Sequence, residues 1–174
     1  QATTGRVTAS LRNSSAAPYG LAAIFSGAAP NNTTSYFFTG GDTSTSRVFI
    51  YSNGNIQNTN NSYTGISDVK LKENIVDSGS QWDDIKALRV RKYSLKTENS
   101  DSPTQIGVIA QELEASGMSG LVDEHIDWDE NHEDSGTKTK GVKYSVLYMK
   151  AIKALQEAMD RIETLEAKVA ALES

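Results

Sequence analysis

From Tyr144 to Ser174 the chain contains no glycine and no proline, and its apolar residues fall on a seven-residue repeat. Placing Tyr148, Leu155, Ile162 and Val169 at position a puts Ala151, Ala158, Leu165 and Leu172 at position d, an unbroken seam over four heptads. Such a repeat folds as one long helix whose seam has to be covered by another helix. The g positions Arg161 and Lys168 and the following e positions Glu166 and Glu173 carry opposite charges. Pairs of that kind join parallel chains, so a parallel homo-oligomeric coiled coil over about 144–174 is expected. Alanine at two d positions blurs the residue rules that set strand number, so the repeat leaves the copy number open.

The rest of the chain divides near residue 67. Residues 1–67 hold three arginines (Arg6, Arg12, Arg47) and one acid (Asp42), a net charge of +2, whereas 68–174 hold 14 basic and 21 acidic residues, a net of −7. Ser, Thr, Asn and Gly supply 35 of the first 67 residues, too polar a set to bury a core alone. Strand-length pieces nevertheless recur at Gly5–Leu11, Leu21–Phe25, Ser35–Thr39 and Arg47–Tyr51, separated by turn signals at Ala17-Pro18-Tyr19-Gly20, Ala29-Pro30-Asn31-Asn32, Gly40-Gly41-Asp42 and Ser52-Asn53-Gly54-Asn55. A β-meander that completes its core against copies of itself is the expectation. The four Asn-x-Ser/Thr sequons, at Asn13, Asn31, Asn32 and Asn60, follow from this composition and carry little weight.

The second half reads as α+β: a short helix at Asp83–Leu88, a strand at Val90–Lys96, a turn at Ser100–Pro103, a buried strand at Gln105–Ala110 and a helix at Gln111–Ala115. Trp82 and Trp128 read as packing residues. The acidic run Asp123–Asp134 holds both histidines, His125 and His132, and is read as a solvated loop. Asp127-x-Asp129-x-Asn131 matches three calcium-loop positions, but His132 replaces the required glycine and Lys138 the bidentate glutamate. Two histidines seven apart do not make a zinc centre. No metal, no cofactor and no phosphate-binding loop is expected. The overall charge of −5 disfavours a nucleic-acid partner, no apolar run suits membrane insertion, the first four residues lack the pattern of a secretion signal, and the lack of cysteine removes thiol chemistry.

At the compositional boundary, Ser67, Asp68, Lys70 and Lys72 crowd together. A serine becomes a useful nucleophile only when a base takes its proton, and a lysine serves once burial or a second cation favours its neutral form. Lys72, with Lys70 beside it, could supply both parts, but spacing alone leaves a charged turn as the plainer reading.

Ser67-Asp68-Val69-Lys70-Leu71-Lys72-Glu73-Asn74-Ile75 resembles the S-D-x-R-x-K-x-N-I opening of the peptidase S74 family, the intramolecular chaperones of endosialidase and other phage tail fibres and tailspikes. Arg91-Lys92-Tyr93, Gly107-Val108-Ile109-Ala110-Gln111-Glu112 and Val142-Lys143-Tyr144-Ser145-Val146-Leu147 resemble later landmarks of that family in the right order. Lys70 stands where the family usually has arginine, keeping the charge and losing the planar fork.

The resemblance implies a homotrimer, with an intertwined β-rich fibre tip at 1–67 and a chaperone domain at 68–174 that folds it and is then released. It implies a scissile bond at Ser67–Asp68, Ser67 and Lys72 as the catalytic pair, and Lys70 and Asn74 as supporting motif residues. It also implies assembly in the bacterial host cytoplasm, a place in the virion, and a tip facing a host-surface receptor or glycan. Ring geometry restricts the chemistry. Ser67 attacking its own carbonyl would close a four-membered ring, so either it attacks the Ile66 carbonyl and cuts before itself, or Lys72 activates a water or another chain's serine. Only the second route cuts after Ser67. The rivals are a trimerisation domain that does not cleave and a self-cleaving membrane-bound regulator. The second is disfavoured by the neutral first half and the missing apolar span.

Overall fold

The computed structural model describes Arg12, Ser14 and residues 20–96, 103–129 and 133–173. The expected strand Gly5–Leu11, the Asn13 sequon, Pro18 and Tyr19 of the first turn, Ser100–Ser102, and Asn131 with His132 lie outside those residues. The chain forms two compact units, Gln1–Glu73 and Asn74–Ser174.

In the first unit, β1 (Tyr36–Gly41), β2 (Ser46–Tyr51) and β3 (Ile56–Asn58) form an antiparallel meander in the order β1-β2-β3. The β1–β2 turn is built on Asp42, whose Oδ1 accepts from the backbone N–H groups of Ser44 at 2.8 Å and Thr45 at 3.1 Å. Its Oδ2 accepts from Arg47 Nη2 at 2.8 Å. The Ser44 hydroxyl and the Arg47 guanidinium hold this carboxyl far below the usual range. The expected Asn-Gly turn joins β2 to β3, with Gly54 at φ +83°, where a side chain would be strained.

Aromatic rings line the sheet: Phe49 stacks on Tyr51 at 5.3 Å and meets Tyr36 edge-on at 5.6 Å. None of the buried residues falls in this unit among the described residues, and Tyr36, Phe37, Phe38 and Ile56 are all exposed. Leu21–Phe25 is not a strand. Among the described residues no strand pairs with it, and Phe25 makes a ring contact 4.9 Å from Phe37.

The second unit is mixed α and β. It runs α1 (Trp82–Ala87), β4 (Arg91–Tyr93), β5 (Gln105–Gly107), α2 (Ala110–Ala115), β6 (Val122–Trp128), β7 (Asp134–Val142) and α3 (Tyr144–Leu172). Two antiparallel pairs, β4–β5 and β6–β7, replace any larger sheet. Val108, Leu113, Met118, Leu121 and Leu147 form the core, with Ile85, Leu88, Val122 and Val142 packed around it.

In the acidic run expected to be a loop, residues 123–128 are strand β6. Its partner explains why: Lys140 sits opposite Glu124 in the β6–β7 register. Lys138 reaches Glu124 at 3.4 Å, Lys143 reaches Asp123 at 2.8 Å, and Lys140 reaches Glu114 of α2 at 2.6 Å. Acids that would repel one another in isolation are neutralised across the hairpin. Asp127, the first of the calcium-like positions, accepts from the Thr137 hydroxyl at 2.8 Å. Hydrogen bonds from Thr139 and Thr137 hold its carboxyl below the usual range.

Helix α1 is clasped to α3. Glu157 accepts from Gln81 N at 2.9 Å and Ser80 Oγ at 2.8 Å, Lys150 pairs with Asp84, and Arg161 lies 3.8 Å over the Trp82 ring. Trp82 is thus a packing residue, whereas Trp128 is 48% exposed. The g-position residues Leu147, Ala154 and Arg161 face the rest of the unit. The a and d residues Tyr148, Leu155, Ile162, Leu165, Val169 and Leu172 are 51–87% exposed. Residues 162–173 are all exposed, so beyond Arg161 the far end of α3 is a three-turn helix on which no other described element packs. Isolated helices of that length are marginal in water.

Candidate functional site

The Ser67 segment is organised by a single 3₁₀ turn, Val69–Leu71, opened by Asp68. Asp68 Oδ1 accepts from the Lys70 backbone N–H at 3.0 Å, and Asp68 O accepts from Leu71 N at 3.1 Å. Lys72 N then donates to Val69 O at 3.0 Å and closes the turn. Ser67 precedes the turn and Lys72 follows it, so the turn folds the two ends toward each other. Lys72 Nζ donates to Ser67 Oγ at 2.6 Å. The two sequence-predicted catalytic side chains therefore meet directly, both exposed to solvent in the single chain.

Lys70 makes an ion pair within the turn. Its ammonium lies 3.5 Å from Asp68 Oδ2, whose negative charge draws it back across the turn. Asn74, the last polar residue of the motif, has φ +53°. Asparagine tolerates that left-handed conformation better than any residue except glycine, which gives its place in the motif a backbone reason.

Within the second unit the later motif residues converge on each other. Tyr93 of β4 and Tyr144 at the start of α3 bring their hydroxyls together over Gly107 of β5. A Cβ on Gly107 would come within 2.8 Å of both oxygens, so a side chain there would push the two hydroxyls aside. Val108 N donates to the Tyr144 hydroxyl at 3.4 Å, and burial together with the adjacent Tyr144 pushes the Tyr93 hydroxyl up from its ordinary value. Beside them, Arg91 forks onto Glu112 of α2, with Nε 2.9 Å from Oε2. The sequence places these residues in order along the chain but carries no signal that Arg91 and Glu112, or the two tyrosines, are partners.

The Arg91 guanidinium holds the Glu112 carboxyl below its ordinary value of 4.5. A carboxyl lowered in the folded state contributes stability that is present above its unfolded value and lost as pH falls through the folded one. Urea unfolding of the wild type should therefore weaken below about pH 4. In Glu112→Gln that part of the acid dependence should be flattened, and an equal acid slope in both proteins would contradict the pairing.

Residues 67–123, about a third of the chain, match the family model Peptidase_S74, described as chaperone of endosialidase. No curated protein matches the chain. The match begins on Ser67 and takes in the turn with Lys72, Arg91, Tyr93, Gly107 and Glu112, so it is residues 67–123 that are similar to the chaperone-of-endosialidase family.

Proposed function

We propose that this protein belongs to a phage fibre or tailspike, and that its second half is an intramolecular chaperone that trimerises, folds the preceding β-rich segment, and parts from it by cutting itself once at Ser67–Asp68. The observation that carries the cutting is the 2.6 Å contact from Lys72 Nζ to Ser67 Oγ at the first residue of the family match. The exposed α3 seam and the lack of buried residues among those described in the first unit support the assembly step, and they support a trimerisation and folding module even without cleavage. The released fibre segment stays in the virion, its tip facing a host receptor or glycan.

Lys72, as the neutral amine, takes the Ser67 Oγ proton. The alkoxide so formed adds to the Ser67 carbonyl of a neighbouring chain. As the tetrahedral adduct collapses, the C–N bond to Asp68 breaks and the Asp68 nitrogen leaves with the proton that Lys72 held. Water then hydrolyses the ester and restores Ser67. A water activated by Lys72 attacking the Ser67 carbonyl of its own chain gives the same products.

Both side chains are exposed in the single chain, so the desolvation that favours a neutral lysine has to come from neighbouring copies. Cutting is thereby tied to completed assembly. Cleavage rates measured on monomeric and trimeric fractions test this: the trimer should cut and the monomer should not, whereas equal rates would overturn the coupling.

A further inference from the structure

The turn that joins Ser67 to Lys72 depends on one side chain. Asp68 Oδ1 satisfies the Lys70 N–H, a donor with no backbone acceptor at the start of a helical turn, while Oδ2 engages the Lys70 ammonium. No residue of the turn is buried, so hydrophobic packing does not hold Val69–Leu71 in place. Local hydrogen bonds do, and the Asp68 carboxylate makes the one that involves a side chain within the turn. The same residue donates the nitrogen of the proposed scissile bond, so the group being cut from Ser67 also sets the position of the base.

We infer that Asp68 is a positioning residue: by capping the Val69–Leu71 turn it holds Lys72 Nζ on Ser67 Oγ, and it acts through this hydrogen bond rather than through its charge. The inference rests on the self-cleavage reading. Asparagine and serine cap as well as aspartate but carry no charge, so they separate the two roles. A lost cap costs about 1 kcal/mol, which corresponds to roughly a fivefold drop in the population of the closed turn.

The test compares self-cleavage of assembled wild type, Asp68→Ala, Asp68→Asn and Asp68→Ser by intact mass over time, with trimer mass checked for each. Asp68→Ala should cut about fivefold more slowly, and Asp68→Asn and Asp68→Ser should recover to within about twofold of wild type. Cleavage in Asp68→Ala at the wild-type rate, or Asp68→Asn as slow as Asp68→Ala, would overturn the inference. A wild type that never cuts overturns the self-cleavage reading instead. Amide exchange at Lys70 then still judges the cap, measured in the Ser67→Ala background where the chain stays whole. Exchange should quicken with Asp68→Ala and not with Asp68→Asn, and unchanged exchange in both removes the cap.

Discussion

Lys72→Arg should leave the chain whole, as should Lys72→Ala. Either change should slow self-cleavage by a hundred- to ten-thousandfold, the range associated with removing a general base. The arginine variant is the informative one. Its guanidinium can still donate a hydrogen bond to Ser67 Oγ and preserves the positive charge, but it does not give up its proton at accessible pH and cannot accept one from the serine. If Lys72 acted only as a donor steadying Ser67, the arginine variant would cut nearly as well as wild type. The 2.6 Å contact between Lys72 and Ser67 is compatible with either role, and this variant decides between them. Denaturing mass spectrometry on assembled protein gives the answer directly, and efficient cutting by Lys72→Arg would contradict the base assignment.

Ile162→Asp should turn the trimer into a monomer. Ile162 lies at an a position, 54% exposed in the single chain, at the point where α3 loses its contact with α1. Beyond it Leu165, Val169 and Leu172 are 51–87% exposed, and the proposed parallel bundle would cover all of them at once. A carboxylate at that level would meet its copies in the middle of an apolar seam, where unpaired charge is not tolerated. The variant should sediment as a monomer and lose helix signal from residues 161–173, while Leu113, Leu121 and Leu147 keep the second unit folded. It should also stop cutting, because the proposed cut depends on assembly. An unchanged trimer mass would remove the coiled coil from the account.

These effects trace to features of unequal visibility in the sequence. Helix α3 was legible because its repeat is long and uninterrupted, and α1 and α2 because acids sit in their first turns. The strands β1 and β2 stood out through aromatic and β-branched residues between glycine turns. The hairpin β6–β7 was hidden because its stability comes from charges paired across strands. A run of acids looks like a loop until the lysines opposite it, fourteen or more residues away in the chain, are in place. Leu21–Phe25 misleads in the other direction, since a β-rich composition makes a strand only where another strand can bond to it.

At the candidate site, Ser67 and Lys72 were legible as a pair only through the motif, because spacing alone does not show that a 3₁₀ turn intervenes. Nor does it show that Asp68 is the ion-pair partner of Lys70. The Tyr93, Gly107 and Tyr144 convergence was invisible for the same reason: it joins two strands and a helix whose packing no local pattern records.

The central claim is that this chain cuts itself once, after Ser67, when it has assembled. Intact mass of the wild type under denaturing conditions, followed from the onset of trimer formation beside Ser67→Ala, tests it most directly. The account predicts two wild-type fragments that meet at Ser67–Asp68 and a Ser67→Ala chain that stays whole. A wild type that remains whole after assembly, or fragments that meet before Ser67, would contradict it.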